Sequence, residues 1–205
     1  MTFPTFNEEN RLWTNGLKYI AGVDEVGRGC FAGPVVAGAV ILPQGFNATD
    51  KINDSKLVRP LERIKLAKII KEHALAYSIA EIPVEEINQL GIGKATQKAF
   101  LSAINSLTIT PDYILIDAFF IDNLDKKKQK PIIHGDGISI SIAAASIIAK
   151  VYRDELMEKL HPDYPQYDFW QNKGYGTKKH REAIGKFGLC TLHRKSFDLK
   201  KFVNA

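Results

Sequence analysis

The chain has 205 residues, 45% of them hydrophobic and 25% charged, with a net charge of +5. That length supports a real core in one domain, or one domain with an appendage, and the composition excludes a disordered or fibrous chain. No apolar run approaches the ~20 residues of a membrane span, and the opening MTFPTFNEEN does not read as a signal peptide.

Residues 1–17 read as a short helical or irregular lead-in, with Phe3, Phe6, Leu12 and Trp13 available to pack. Residues 19–40, YIAGVDEVGRGCFAGPVVAGAV, organise the chain: two apolar runs flank a centre holding Gly27, Arg28, Gly29, Gly33 and Pro34. Gly and Pro punctuate local structure, so this predicts strand, loop, strand. Neighbouring strand side chains point to opposite faces, so Asp24 and Glu25 serve one site only where the strand ends or bends. A buried carboxylate pair needs a partner, and a hard divalent cation suits carboxylate oxygens. Gly-Arg-Gly adds a cation and open backbone N–H groups, the means by which phosphate is held.

Residues 45–54 form a polar loop, and Asp54-Ser55-Lys56 is a turn or helix cap before a periodic basic helix over 61–71. Alternation predicts a strand over 75–82, ended by Pro83. Helices over 84–90 and 94–106 are separated by Gly91 and Gly93. A short buried strand, 112–117, ends in Asp117; a charged loop with four lysines spans 122–130; a second short strand, 131–134, precedes Gly135-Asp136-Gly137. The run SISIAAASIIAKVYRDELMEKLH is the longest helix, with Ser146, Lys150 and Arg153 on one face and a stop at His161-Pro162. The order predicts a layered α/β architecture.

Cys30 and Cys190 allow one disulfide at most, and reduced thiols in a cytoplasmic protein are expected. Nine Lys and Arg stand against two acids in residues 171–205, leaving −2 for the rest. A basic end on a slightly acidic body points to a polyanionic partner.

Asp24, Glu25, Asp117 and Asp136 each sit at or just past the end of an apolar strand-like run. Sites assemble at strand ends in open sheets. Four convergent carboxylates do not stay ionised together without cations. Two divalent ions would balance them, activate a water on one side of a phosphodiester and stabilise the leaving oxygen on the other. Asp136 precedes the long helix, whose N-terminal dipole favours its ionised form.

Together AGVDEVGRGCFAGPVVAGAV, NDSKL, YILIDA, GDGISISIAAASIIAKVYRD, NKGYGTKKHREAI and LHRKSF resemble bacterial ribonuclease HII, over about residues 18–198. The resemblance implies a ribonuclease H-like mixed sheet flanked by helices, with a basic helical C-terminal segment. It divides the chain into a lead-in (1–17), a catalytic domain (18–160) and a substrate-binding segment (161–205). It implies cleavage of RNA in RNA–DNA hybrids and at single ribonucleotides embedded in DNA, by a monomer using Mn²⁺ or Mg²⁺ and leaving 3′-hydroxyl and 5′-phosphate ends. It assigns Asp24, Glu25, Asp117 and Asp136 as metal-holding catalytic acids, Asp24 bridging two ions. Gly27, Arg28 and Gly29 would read the ribose 2′-OH and the adjacent phosphate, and Tyr175, between Gly174 and Gly176, would stack under a sugar. The face of Ser146, Lys150 and Arg153 is expected to touch the nucleic-acid backbone. The chain departs from the family where Ile138 and His134 replace usual lysines. Rival readings are a ribonuclease H-like nuclease or resolvase cutting DNA, which Gly-Arg-Gly and Tyr175 argue against, and a non-catalytic hybrid-binding module, against which the four acids stand.

Overall fold

The computed structural model describes residues 3–47, 52 and 58–203, so the Asp54-Ser55-Lys56 turn lies outside the described residues. Helix α1 (Asn7–Thr14) leads into strands β1 (Ile20–Val26) and β2 (Val35–Ile41). Helix α2 (Pro60–His73), β3 (Ala76–Ile82), α3 (Val84–Asn105), β4 (Tyr113–Asp117), β5 (Gln129–Ile132) and the long α4 (Ile140–Leu160) follow. Two short helices, α5 (Phe169–Asn172) and α6 (Lys178–Phe187), complete the chain. The five strands lie in the order β3-β2-β1-β4-β5. β1 runs antiparallel to β2, β2 antiparallel to β3, and β1, β4 and β5 run parallel, giving the mixed sheet expected.

Alternation along β1 divides its side chains between two layers. Ala21 and Val23 face α3, where Ala95, Ala99, Phe100 and Ala103 pack on Val35, Ala37 and Ala39 of β2. Ile20, Gly22 and Asp24 face the other way, toward α4. There Ala143, Ala144, Ala145, Ile147 and Ile148 pack with Leu66, Ala67 and Ile70 of α2. Helix α4 comes so close that a Cβ on Gly22 would overlap the backbone carbonyl of Ser141, and one on Gly38 would meet the carbonyl of Ala145 at 2.6 Å.

Two elements differ from the sequence reading in instructive ways. Helix α3 bends at Gly91 (φ 75°, ψ 158°), so the two expected helices abut at that one glycine and Gly93 lies inside the second. The second parallel strand covers Gln129–Ile132 rather than 131–134, because His134 takes a left-handed conformation (φ 56°) and Gly135 N donates to Asp117 Oδ1 at 2.7 Å, turning the chain away. Pro131 is tolerated inside it because β5 is an edge strand. The lead-in is helical and packs as expected: Leu12 and Trp13 sit against the Ile20, Leu115, Ile132 and Ile142 cluster. Glu9 is buried and accepts from Ser139 Oγ (2.6 Å) and Ser141 N (2.9 Å), at the N-terminus of α4.

Gly22→Ala forces α4 off the sheet, since the obstructing atoms are backbone. Overpacking of this kind costs roughly 1–3 kcal/mol. The expected outcome is a clear fall in the thermal midpoint, whereas Gly137→Ala, with open space at its Cβ, shifts it far less.

Candidate active site

Asp24 projects from β1 under α4 and is nearly fully buried. Burial first, then the charges of Glu25 and Asp117 and more weakly that of Asp136, push its carboxyl well above the usual carboxylate range; a bond to Ser146 of α4 pulls the other way. β1 continues past the pair to Val26, so the bend falls after Glu25, at Gly27 (φ 85°). Both acids nevertheless line one cleft, because the cleft sits across the end of the strand. That cleft, about 250 Å³, is lined by Asp24, Glu25 and Asp117, by the turn from Val26 to Gly29, and by Ser146, Lys150 and Tyr175. Asp136 is buried in the tight turn Gly135–Gly137 behind it, where Asp24 still feels its charge. Helix α4 starts at Ile140 with Ser139 as its cap, so Asp136 lies in the turn just before it, and Glu9 also meets that N-terminus through Ser141 N.

Asp24, Glu25 and Asp117 therefore share one pocket, in which an ionised Asp24 is disfavoured by its surroundings. Among the described residues no three His, Cys, Asp or Glu side chains are drawn into ligating geometry. The donor set is all carboxylate oxygen, which suits Mg²⁺ or Mn²⁺. A divalent cation there would reverse the cost of gathering the acids, so the residues fit such a group.

Beside the acids lies the Gly27-Arg28-Gly29 turn. A Cβ on Gly27 would strike the Arg153 guanidinium, while Gly29 is open. Arg28 stands at 3.8 Å from Glu25 Oε1 and 4.9 Å over the Phe119 ring, half-exposed toward the cleft's rim. Tyr175 reaches the same cleft from the far end of the chain and is 37% exposed. Burial, with the neighbouring Cys30 thiol, pushes its phenol up to about 12, so its hydroxyl remains a hydrogen-bond donor at neutral pH. Both cysteines are free. His134 and Ile138, where the family's lysines were missed, are exposed.

The face expected to meet a nucleic-acid backbone is split by the structure. Ser146 lines the cleft beside Asp24. Lys150 also lines it, with Nζ 2.7 Å from Asp154 and 5.3 Å from the Tyr175 ring centre. Arg153 must be reassigned. It is 0% exposed. Its Nε donates to Pro34 O (3.0 Å), Nη1 to Lys173 O (2.8 Å) and Nη2 to Ala32 O (3.0 Å). A buried guanidinium with three carbonyl partners holds loops together and has no surface with which to touch a duplex. Its i+7 spacing from Ser146 was read correctly; what the spacing did not show is that the 30–34 loop and Lys173 close over its end of α4.

A second guanidinium, that of Arg194 in LHRKSF, is also fully buried. Its Nε and Nη2 donate to Gly33 O (3.0 and 2.9 Å) and its Nη1 to Arg28 O (2.8 Å), so it fastens the Gly-Arg-Gly turn from beneath. The basic C-terminal count thus overstates the surface charge, since Arg194 is interior and Lys173 is paired with Glu158 at 3.0 Å. Next to Arg194, His193 is buried against His180, and burial together with His180 pulls it down to about 4. The only signal for either group in the sequence was the cluster of His and Arg itself.

A five-stranded sheet in this order, with acids at its strand ends beneath one long helix, defines a ribonuclease H-like nuclease fold. The solved ribonuclease H2 from Pyrococcus horikoshii OT3 superposes with a TM-score of 0.74 at 26% identity, over 91% of this chain and 97% of that one. Bst-RNase HIII in complex with Mn²⁺ shares the fold at a TM-score of 0.71 and 20% identity, over 90% of this chain and 68% of that one. The sequence profile of ribonuclease HII matches residues 21–200. Ribonuclease HII of Syntrophus aciditrophicus (strain SB) is 48% identical over 192 residues, covering 94% of this chain and 90% of the relative. That of Chlamydia trachomatis serovar D is 49% identical over 190 residues, 92% and 86% respectively. The chain belongs to the ribonuclease HII family, endonucleases that hydrolyse RNA in RNA–DNA hybrids. No helix among the described residues is long and apolar enough to cross a membrane.

Two outcomes test this geometry. Arg153→Ala removes the guanidinium donor from three interior carbonyls, leaving Pro34 O with Arg194 Nη2 (3.1 Å) and Lys173 O with the weak Cys30 Sγ donor (3.8 Å). The loss costs about 1–3 kcal/mol and is expected to lower the thermal midpoint clearly, whereas Lys150→Ala, at the cleft, lowers it far less. For His193 the folded imidazole is harder to protonate than the unfolded one, whose ordinary value is 6.5. The unfolded chain then takes up the proton first as pH falls. The histidine's contribution is whole above about 6.5 and lost by about 4, an effect of roughly 3 kcal/mol over that span, about 2 of it between pH 7 and pH 5. Urea unfolding at pH 7 and pH 5 is expected to show this slope in the native protein and a shallower one in His193→Phe.

Proposed function

We propose that the chain cuts at ribonucleotides paired with DNA, including a single ribonucleotide embedded in duplex DNA, in the manner expected of ribonucleotide excision repair. One observation carries this reading: a single cleft brings the Gly27-Arg28-Gly29 turn and Tyr175 against Asp24, Glu25 and Asp117. A ribose reader and a hydrolytic centre placed side by side fit a cut made next to a 2′-hydroxyl. The 2′-OH is the group that distinguishes RNA from DNA, and a glycine turn lets backbone approach a sugar closely.

In this reading Asp24, Glu25 and Asp117, with Asp136 behind them, hold Mn²⁺ or Mg²⁺. When bound, two such ions supply an activated water and offset charge on the leaving oxygen, which fits 5′-phosphate and 3′-hydroxyl products. A Mn²⁺ complex of Bst-RNase HIII, a protein of the same fold, supports the choice of ion. Ser146 orients Asp24 through its hydrogen bond. Arg28 holds the phosphate beside the ribose, Lys150 adds positive charge at the cleft's edge, and the Tyr175 hydroxyl donates to the 2′-oxygen or the turn. Residues 161–205 form the substrate-binding segment of this cytoplasmic monomer.

A DNA duplex carrying one ribonucleotide, incubated with and without EDTA and mapped at its ends, tests the reading. Cleavage is expected on the 5′ or 3′ side of that ribonucleotide alone, abolished by the chelator; cutting of all-DNA duplex sinks it. Asp24→Asn is expected to abolish cleavage in saturating Mn²⁺. In metal-free buffer the same substitution raises the thermal midpoint or leaves it unchanged, because it removes a buried charge that Glu25 and Asp117 repel. Tyr175→Ala is expected to slow cleavage at a lone ribonucleotide more than within a long hybrid, where many registers are available. Tyr175→Phe, which keeps the ring, falls between. The measurement is the ratio of single-turnover rates on the two substrates.

A further inference from the structure

Tyr175 lies between two glycines, and Gly174 has φ 81°. Such a segment has little stiffness of its own, yet a reader of one sugar must be held closely, since displacements of about 1 Å in positioning groups cost about a hundredfold in rate. The Tyr175 carbonyl is held by two donors: Thr177 N at 2.8 Å and His180 Nδ1 at 2.9 Å. His180 Nε2 lies 3.0 Å from His193 Nε2, and His193 Nδ1 lies 2.9 Å from Cys190 N and 3.1 Å from Cys190 Sγ.

The partners dictate where the protons sit. A carbonyl only accepts, so His180 Nδ1 carries hydrogen and His180 Nε2 is bare. The Cys190 amide only donates, so His193 Nδ1 is bare and His193 Nε2 carries the hydrogen given to His180. Each ring is neutral and in one tautomer, and the series Cys190 to His193 to His180 to Tyr175 runs in one direction. Both rings are fully buried, edge-on to Phe169 or Tyr167, so neither swings away.

The far end of the series is fixed to the other half of the reader. His193 pairs by a β-bridge with Ala32, and Leu192 O accepts from Gly33 N at 2.9 Å. The adjoining Arg194 donates to Arg28 O within the Gly-Arg-Gly turn. Residues 190–194 thus hold the turn with one side chain and Tyr175 with the next. We propose that His180 and His193 are positioning residues that set Tyr175 at a fixed separation from the Gly27-Arg28-Gly29 turn, so that the two close on one nucleotide. This rests on the reading of Tyr175 given under Proposed function.

The test is the ratio of single-turnover rates on a lone-ribonucleotide duplex and a long hybrid, with thermal midpoints in parallel. His180→Ala and His193→Phe are each expected to lower the ratio about fivefold or more. His180→Asn, whose amide nitrogen replaces Nδ1 as donor to Tyr175 O, is expected to recover most of the loss. The double variant His180→Ala/Tyr175→Ala is expected to match Tyr175→Ala alone, because residues acting as one unit are not additive. An unmoved ratio in the histidine variants, with rates falling equally on both substrates, overturns the positioning role, as does an additive double variant. If His180→Ala does not fold, His193→Phe and His180→Asn decide the matter by the same ratio. Tyr175→Ala that leaves the ratio untouched sinks the reading of Tyr175 itself; a ratio that falls with Tyr175→Ala but holds in both histidine variants sinks the positioning alone.

Discussion

Helix α4 lies directly on β1 because Gly22 has no side chain. Much of the candidate site follows from that contact. One turn and a half past the Gly22 contact, Ser146 meets Asp24. One turn further, Lys150 reaches the cleft, and the next turn brings Arg153 under the 32–34 loop. The turn that carries Asp136 is fixed at the other end of the same helix, where Ser139 caps it and Glu9 binds Ser139 and Ser141. A side chain at Gly22 would lift the whole row, since a helix is too stiff to yield at one residue without shifting its neighbours.

Charge is handled in two opposite ways within a short distance. The guanidiniums of Arg153 and Arg194 are buried among backbone carbonyls and well satisfied, so they stabilise loop positions. The carboxylate of Asp24 is buried among other carboxylates and is held above its ordinary range. Burial of charge is tolerable where hydrogen bonds surround it and costly where like charge does. The first arrangement builds a scaffold; the second stores unfavourable energy that a divalent cation would relieve. Perturbed groups of this second kind are those that mark functional sites.

The sheet and the long helix were legible in the sequence because their signals are local: alternation, small apolar runs, and Gly and Pro at the joints. That Asp24, Glu25 and Asp117 would come together was legible from acids at or near the ends of apolar runs, although β1 continues past the first pair to Val26 and Asp136 lies in a turn beyond β5. The role of Arg153 was not. Helical spacing places a side chain on a face, but whether that face is covered depends on residues 32–34 and 173, far away in the chain. The edges of β5 were missed because a left-handed residue, His134, and a carboxylate 17 positions earlier decide where it stops. The coupling of His180, His193 and Cys190 left only an unassigned cluster in the sequence, since its meaning lies in tautomers that neighbouring backbone groups impose.

The C-terminal residues show why net charge is a poor guide to a surface. Their excess of Lys and Arg implied a polyanionic partner, yet Arg194 is interior, Lys173 pairs with Glu158, and Lys178 lies near Glu182. What this segment contributes to the cleft is chiefly geometric. It places an aromatic ring opposite a glycine turn and ties both to one short stretch of backbone. Affinity for a nucleic-acid backbone comes readily from scattered cations, and salt weakens it on every duplex alike. Discrimination at one sugar requires groups whose separation is fixed, and fixed separation is what buried hydrogen bonds to backbone carbonyls provide.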